Sequence, residues 1–126
     1  MKKSELVRLL YEEVLNKGRL ELLDELFSAQ FVDHSTPEQP CGPAGVRQYV
    51  EELRRGFPDL RVVVEDVITE GEKLVVRTTW QGTHLGLYEG HEPDGRQALR
   101  SMIQIFVVRD GRLSEEWNEG EGLLDS

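Results

Sequence analysis

The stretch Arg112-Leu113-Ser114-Glu115-Glu116-Trp117-Asn118-Glu119 holds the side chains best suited to chemistry. Strand side chains alternate between faces, so a strand here puts Ser114, Glu116 and Asn118 on one side and Trp117 on the other. Glu116 and Asn118 would then stand about 6.6 Å apart along the strand, close enough to touch one small ligand. A polar row of this kind is expected where a sheet lines a wet cavity. An ordinary solvent-facing edge would give the same polar row.

The partner strand decides between these readings. Ser101-Met102-Ile103-Gln104-Ile105-Phe106-Val107-Val108-Arg109 precedes Asp110-Gly111, a dipeptide whose tolerance of positive φ favours a tight hairpin. Met102, Gln104 and Phe106 share one face of that strand, which makes Gln104 a candidate to face Glu116 and Asn118 across the hairpin. The register across the hairpin stays open.

Other candidates lie further upstream. In Val76-Arg77-Thr78-Thr79-Trp80-Gln81, Arg77, Thr79 and Gln81 lie on one side, Val76, Thr78 and Trp80 on the other. An unpaired buried guanidinium is heavily penalised, so Arg77 is expected either half-buried beside Glu116 or Asp66, or solvated. Trp80 is a candidate apolar contact. The 3 histidines are His34, His84 and His91. None has the His-x-x-x-His or Glu-x-x-His spacing of a single-element metal site, so no metal is expected. His34, where a short segment leaves the helices, and His84, in Gly82-Thr83-His84-Leu85-Gly86, would serve as bases near neutral pH if buried against a carboxylate. His91 reads as an exposed loop residue. No nucleophile elbow, phosphate-binding glycine loop or dinucleotide fingerprint is present.

The elements that must position these groups follow from periodicity. Ser4 suits a helix N-cap, and Leu6, Leu9, Leu10 and Val14 recur at helical spacing up to Lys17-Gly18. Arg19 to Phe27 carries a second apolar stripe of Leu20, Leu23, Leu26 and Phe27. Phe31-Val32-Asp33-His34 reads as an edge segment, followed by a breaker with Pro37, Pro40, Gly42 and Pro43. Pro43 opens a third helix striped by Val46, Tyr49, Val50 and Leu53 and ending near Gly56. Leu60 to Thr69 and Lys73 to Thr83 are β-branched runs joined at Glu70-Gly71-Glu72. The loop from Gly82 to Gly95 is longer than a connector needs, as binding lids often are. Helices placed ahead of four consecutive antiparallel strands predict an α+β fold, three N-terminal helices on one face of a strongly curved sheet.

Composition bounds the rest. A chain of 126 residues suits a single domain, residues 1–126. Its formal charge of −9 argues against a nucleic-acid partner, because phosphate binding needs a concentrated positive field. The lone Cys41 has no partner for an internal disulfide, and the charged amphipathic N-terminus resembles neither a signal peptide nor a membrane span. A cytoplasmic protein without membrane contact is expected.

One set of residues is more specific than any single motif. Phe57-Pro58-Asp59-Leu60, Glu65-Asp66, Glu70-Gly71, Val75-Val76-Arg77, Gly82-Thr83-His84 with Gly86, Pro93-Asp94-Gly95-Arg96, Ile105-Phe106, Asp110-Gly111-Arg112 and Glu116-Trp117, in that order, resemble the SnoaL-like polyketide cyclase family of the nuclear transport factor 2-like superfamily. The resemblance implies a cone-shaped fold, commonly a homodimer through the sheet, and a hydrophobic small-molecule pocket. In the founding cyclases it implies an intramolecular aldol closure of a polyketide ester without metal or cofactor. There a carboxylate just after the last-strand Trp is the acid/base group, aided by polar residues of the preceding strand. The matching positions are Asn118, Gln104 and Met102.

Asn118 departs from that pattern, since an amide orients a carbonyl but cannot shuttle protons near neutral pH. Three functions therefore remain. The first is an enzyme that enolises or cyclises a hydrophobic carbonyl compound, with Glu116 or His34 as base and Asn118 and Gln104 holding the oxyanion. The second is a small-molecule binding protein without chemistry. The third is an epoxide-hydrolase-like enzyme of the same fold, hinted at by Arg77 with Asp66.

Overall fold

The computed structural model describes residues 1–125. Helix α1, Lys3–Arg8, runs without a break into a π-helical segment, Leu9–Leu15. It starts two residues earlier than the Ser4 cap predicts, with Lys2 at the capping position. A 3₁₀ turn, Leu20–Leu22, leads into the short α2, Leu23–Leu26. Strand β1 covers Phe27–Asp33, longer at its N-terminal end than the sequence suggests, and α3 covers Pro43–Gly56. Four strands follow: β2 Arg61–Glu70, β3 Lys73–Thr83, β4 Gln97–Arg109 and β5 Arg112–Gly120. Among the described residues no helix is long and apolar enough to cross a membrane.

The sheet order is β1-β5-β4-β3-β2. β2 to β5 form an antiparallel meander, and β1 joins β5 in parallel, with Asp33 opposite Glu116. Strand β3 alternates cleanly: Leu74, Val76, Thr78, Trp80 and Gly82 are buried, and Lys73, Arg77 and Gln81 are exposed. Each fully buried aliphatic or aromatic side chain contributes roughly 1.5–3 kcal/mol of hydrophobic stabilisation. The inner face packs on Leu6, Leu10 and Val14 of the first helix, Leu23 and Leu26 of α2, and Val46, Val50 and Leu53 of α3. The fold is α+β, as the sequence predicts, with helices covering one face of the sheet.

Two irregularities set the inner surface. Opposite Val107 and Val108, β5 carries a bulge, so Leu113 and Glu116 both turn inward although three positions apart. Ser114 is the residue displaced, and it faces the outer edge rather than sharing a side with Glu116. The π-helical widening includes Tyr11, whose carbonyl accepts from the Asn16 N–H at 3.1 Å. Asn16 in turn clamps the Val62 backbone, receiving its N–H at 2.7 Å and donating to its carbonyl at 2.9 Å. A helix wall is thereby tied to β2.

Candidate functional site

Between the curved sheet and the helices lies a cavity of about 220 Å³. Its apolar wall comes from Leu10, Leu15, Phe27, Phe31, Val46, Val50, Trp80, Met102 and Phe106. Tyr11, Tyr49 and Tyr88 add rings with a polar tip, Tyr88 and Glu89 arriving from the long β3–β4 loop. Ser35, Thr36 and Gln39 border it from the segment after β1. The remaining polar groups are Asp33, Gln104, Glu116 and Asn118, and among the described residues no Lys, Arg or His lines it.

Strand parity explains who is inside. Gln104 stands directly opposite Asn118 and Phe106 opposite Glu116, so the inward faces of β4 and β5 coincide. Trp80 and Met102 face the same space. In the parallel β1–β5 pair Asp33 stands opposite Glu116, so it takes the inward side. Sequence reasoning missed Asp33. The available signal was its place beside His34, but only the register of β1 on β5 reveals which of the two neighbours points inward.

His34 does not line the cavity. Its ring stacks on Trp117 at 4.6 Å, on the outer side, and its Nε2 lies 2.9 Å from the Glu115 carboxylate. Arg77 is also outside: it is solvated on the outer face of β3 and pairs with Asp66 at 2.7 Å, far from any partnership with Glu116. His84 is buried, yet behind the cavity wall, stacked 5.4 Å from the Phe57 ring. A larger open trough of about 810 Å³, lined by His34, Ser114, Arg109 and Arg112, runs along the outer edge of β1 and lacks an enclosed polar end.

The carboxyl groups occupy unequal surroundings. Glu116 has moderate surface exposure because the cavity opens outward, but protein encloses its carboxyl group. Burial first, and the neighbouring Asp33 charge second, push its pKa well above the usual carboxylate value, and the Asn118 amide pulls weakly the other way. The Asp33 carboxyl is less enclosed. Burial raises its pKa too, against the opposing hydrogen bonds from the Ser35 N–H at 2.9 Å and from Asn118 Nδ2, which reaches both oxygens at 3.1 and 3.3 Å. Asn118 is thus a donor to a carboxylate rather than a substitute for one. A second carboxyl group, that of Asp33 on β1, therefore lies within hydrogen-bond reach of position 118.

Gln104 completes the polar set. Its Oε1 accepts from the Tyr11 hydroxyl at 2.8 Å and the Thr78 hydroxyl at 2.9 Å, and its buried Nε2 has no protein partner. Such a group calls for an acceptor supplied from outside the chain. No cluster of three or more His, Cys, Asp or Glu side chains able to hold a metal occurs among the described residues.

Comparison with known proteins places this architecture. Residues 5–122 match the family model described as SnoaL-like polyketide cyclase. The structure of TsrD from Streptomyces laurentii superposes with a TM-score of 0.87 at 24% identity, covering 96% of this chain and 91% of that one. Wild-type IdmH, a putative polyketide cyclase from Streptomyces antibioticus, gives 0.80 at 29% identity over 96% and 93%. A putative SnoaL-like polyketide cyclase from Jannaschia sp. CCS1 gives 0.84 at 26% identity over 94% and 84%. No curated protein matches the chain. The match over nearly all of the sequence and the shared cone of helices on a curved sheet make this chain a member of the SnoaL-like polyketide cyclase family.

Proposed function

We propose that the protein enolises or cyclises a compact, uncharged carbonyl compound in this cavity without a cofactor, using Asp33 and Glu116 as an acid/base pair. The observation that carries the reading is the unequal burial of these neighbouring carboxyl groups. Groups of one type whose surroundings push their pKa values apart divide into a base and an acid. Asp33, nearer solvent and held by hydrogen-bond donors, is the base. Glu116, enclosed, carries the proton.

The sequence of events follows. The Asp33 carboxylate takes a proton from the carbon beside the carbonyl, and the C–H electron pair moves into the new C=C bond as the carbonyl π pair shifts to oxygen. Gln104 Nε2–H and the Glu116 O–H donate to the resulting enolate oxygen. If the ligand carries a second carbonyl, the enolate carbon attacks it, a C–C bond forms, and the new alkoxide takes the proton of Glu116. Asn118 keeps the Asp33 carboxylate aimed inward.

The wall supports the ligand class. A lining with carboxyl groups and no cationic side chain disfavours an anion, and an aromatic and aliphatic wall favours an apolar body. A volume of about 220 Å³ lies below the roughly 300–1,000 Å³ usual for pockets that take drug-sized ligands, which suits one or two rings. IdmH and the Jannaschia protein, both putative polyketide cyclases, point the same way. A homodimer through the outer sheet face and a cytoplasmic location complete the proposal.

The test is exchange of the acidic C–H protons of ethyl benzoylacetate for deuterium, followed by NMR above the buffer background. The native chain is expected to accelerate exchange, Asp33→Asn to lose at least a hundredfold, and Glu116→Gln to lose about ten- to a hundredfold, in line with general acid–base contributions of about 10²–10⁴. Binding of the ester with no acceleration would instead favour a protein that holds ligands without transforming them. Acceleration appearing only in Asn118→Asp would place the missing base at 118 and not at Asp33.

A further inference from the structure

We infer that Tyr11, Thr78 and Trp80 are positioning residues that lock the Gln104 side-chain amide with its NH₂ turned into the cavity, so that the site selects ligands presenting a hydrogen-bond-accepting oxygen there. The inference rests on the reading above and adds what makes the oxygen site one-directional. Three hydrogen bonds of fixed polarity carry it.

The chain of bonds begins at a group with no choice. An indole N–H can only donate, and Trp80 Nε1 donates to Thr78 Oγ at 2.8 Å. That occupies a lone pair of the hydroxyl and turns its proton toward an acceptor. Gln104 Oε1 lies at 2.9 Å, nearer than the Met102 carbonyl at 3.3 Å. On the other side the Tyr11 hydroxyl donates to the same oxygen at 2.8 Å. Both lone pairs of the amide oxygen are therefore used.

Rotating the amide by half a turn would set NH₂ against these hydroxyls. The Tyr11 proton would lose its acceptor, and the Thr78 proton would fall back on the longer contact to Met102. The observed orientation keeps all three donors paired and leaves only Nε2 unpartnered, in a side chain that is 1% exposed. Buried donors without partners are rare in folded proteins and mark places where something else supplies the acceptor. Thr78 and Trp80 are consecutive inward positions of β3, and Tyr11 comes from the widened helix, so two elements converge on an amide carried by a third, β4.

The expected consequence is spectroscopic. Acetophenone labelled with ¹³C at the carbonyl serves as the probe, because a carbonyl that accepts a strong hydrogen bond shows a lower C=O stretching frequency and a downfield ¹³C resonance. Bound to the native chain it should show both, and Gln104→Leu should reduce both to the share that Glu116 supplies. Thr78→Val, which keeps the shape and removes the hydroxyl, should weaken binding at least fivefold and reduce the shift. Thr78→Ser should restore native values, and Trp80→Phe should reproduce the Thr78→Val effect if that variant does not fold. A probe shift in Thr78→Val or Trp80→Phe equal to the native one overturns the lock while leaving Gln104 as the donor. Bound probe with no shift in the native chain, or an unchanged shift in Gln104→Leu, overturns the oxygen site itself and with it that part of the proposed function.

Discussion

At the scale of single residues, the site is governed by where a proton resides. Glu116 and Asp33 both have raised pKa values in the folded chain, mainly through burial. The native state therefore retains protons that the unfolded chain releases, and stability falls as pH rises from the unfolded value near 4.5 for Glu116 through its higher folded value. Glu116→Gln removes this dependence at one site. Its urea midpoint should change less than the native midpoint between pH 5 and pH 8, and at pH 8 it should equal or exceed the native value. Equal slopes in both proteins would mean that Glu116 is not desolvated. The alternation that groups Glu116 with Asn118, and Met102 with Gln104, was legible from β-strand periodicity alone, whereas their sharing one surface follows from the register across the hairpin. Asp33 was not, because a short segment with one possible partner on either side carries no register information in its own sequence.

Elements add constraints that residue types do not reveal. The 14-residue α3 was readable end to end from Pro43, its apolar stripe and Gly56, since propensity and burial agree there. The π-helical stretch was not, because its apolar residues fit an ordinary helix equally well and the widening answers to tertiary contacts. Asn16 is the pin of that region, and Asn16→Ala should lower stability by about 1–3 kcal/mol by leaving a Val62 backbone group without its partner. Chemical denaturation measures this, and a change below experimental error would show that the clamp is replaceable by water. Gly45, in the first turn of α3, is a second such point. A Cβ there would press into the Pro40 carbonyl oxygen, part of the segment carrying Thr36 and Gln39 to the cavity mouth. Gly45→Ala is expected to cost about 1–3 kcal/mol by overpacking and to weaken acetophenone binding as the mouth shifts. Unchanged stability would mean that the breaker segment moves aside freely.

For the whole molecule, the decisive question is what covers the other face of the sheet. The helices leave it bare, and Ile68, Val75, Ile105 and Trp117 stand opposite one another across β2, β3, β4 and β5, with Ile103 and Leu99 nearby. Ile68 and Leu99 are each 63% exposed. A second copy laid on this face would bury these side chains, and stable interfaces of that kind remove about 1,200–2,000 Å² from water. Each copy carries a formal charge of −9, so the approach is opposed by long-range repulsion that salt screens over a Debye length of about 8 Å at physiological ionic strength. Association driven by apolar burial against repulsion should therefore tighten as salt is raised. Sedimentation equilibrium is expected to give a dimer whose dissociation constant falls between low and moderate salt. Ile103→Lys, which places a charge in the middle of the face, should shift it toward monomer by at least tenfold. Because Ile103 does not line the cavity, acetophenone binding should be unaffected by that substitution. A native chain that sediments as a monomer at all salt concentrations would leave the outer face as plain surface.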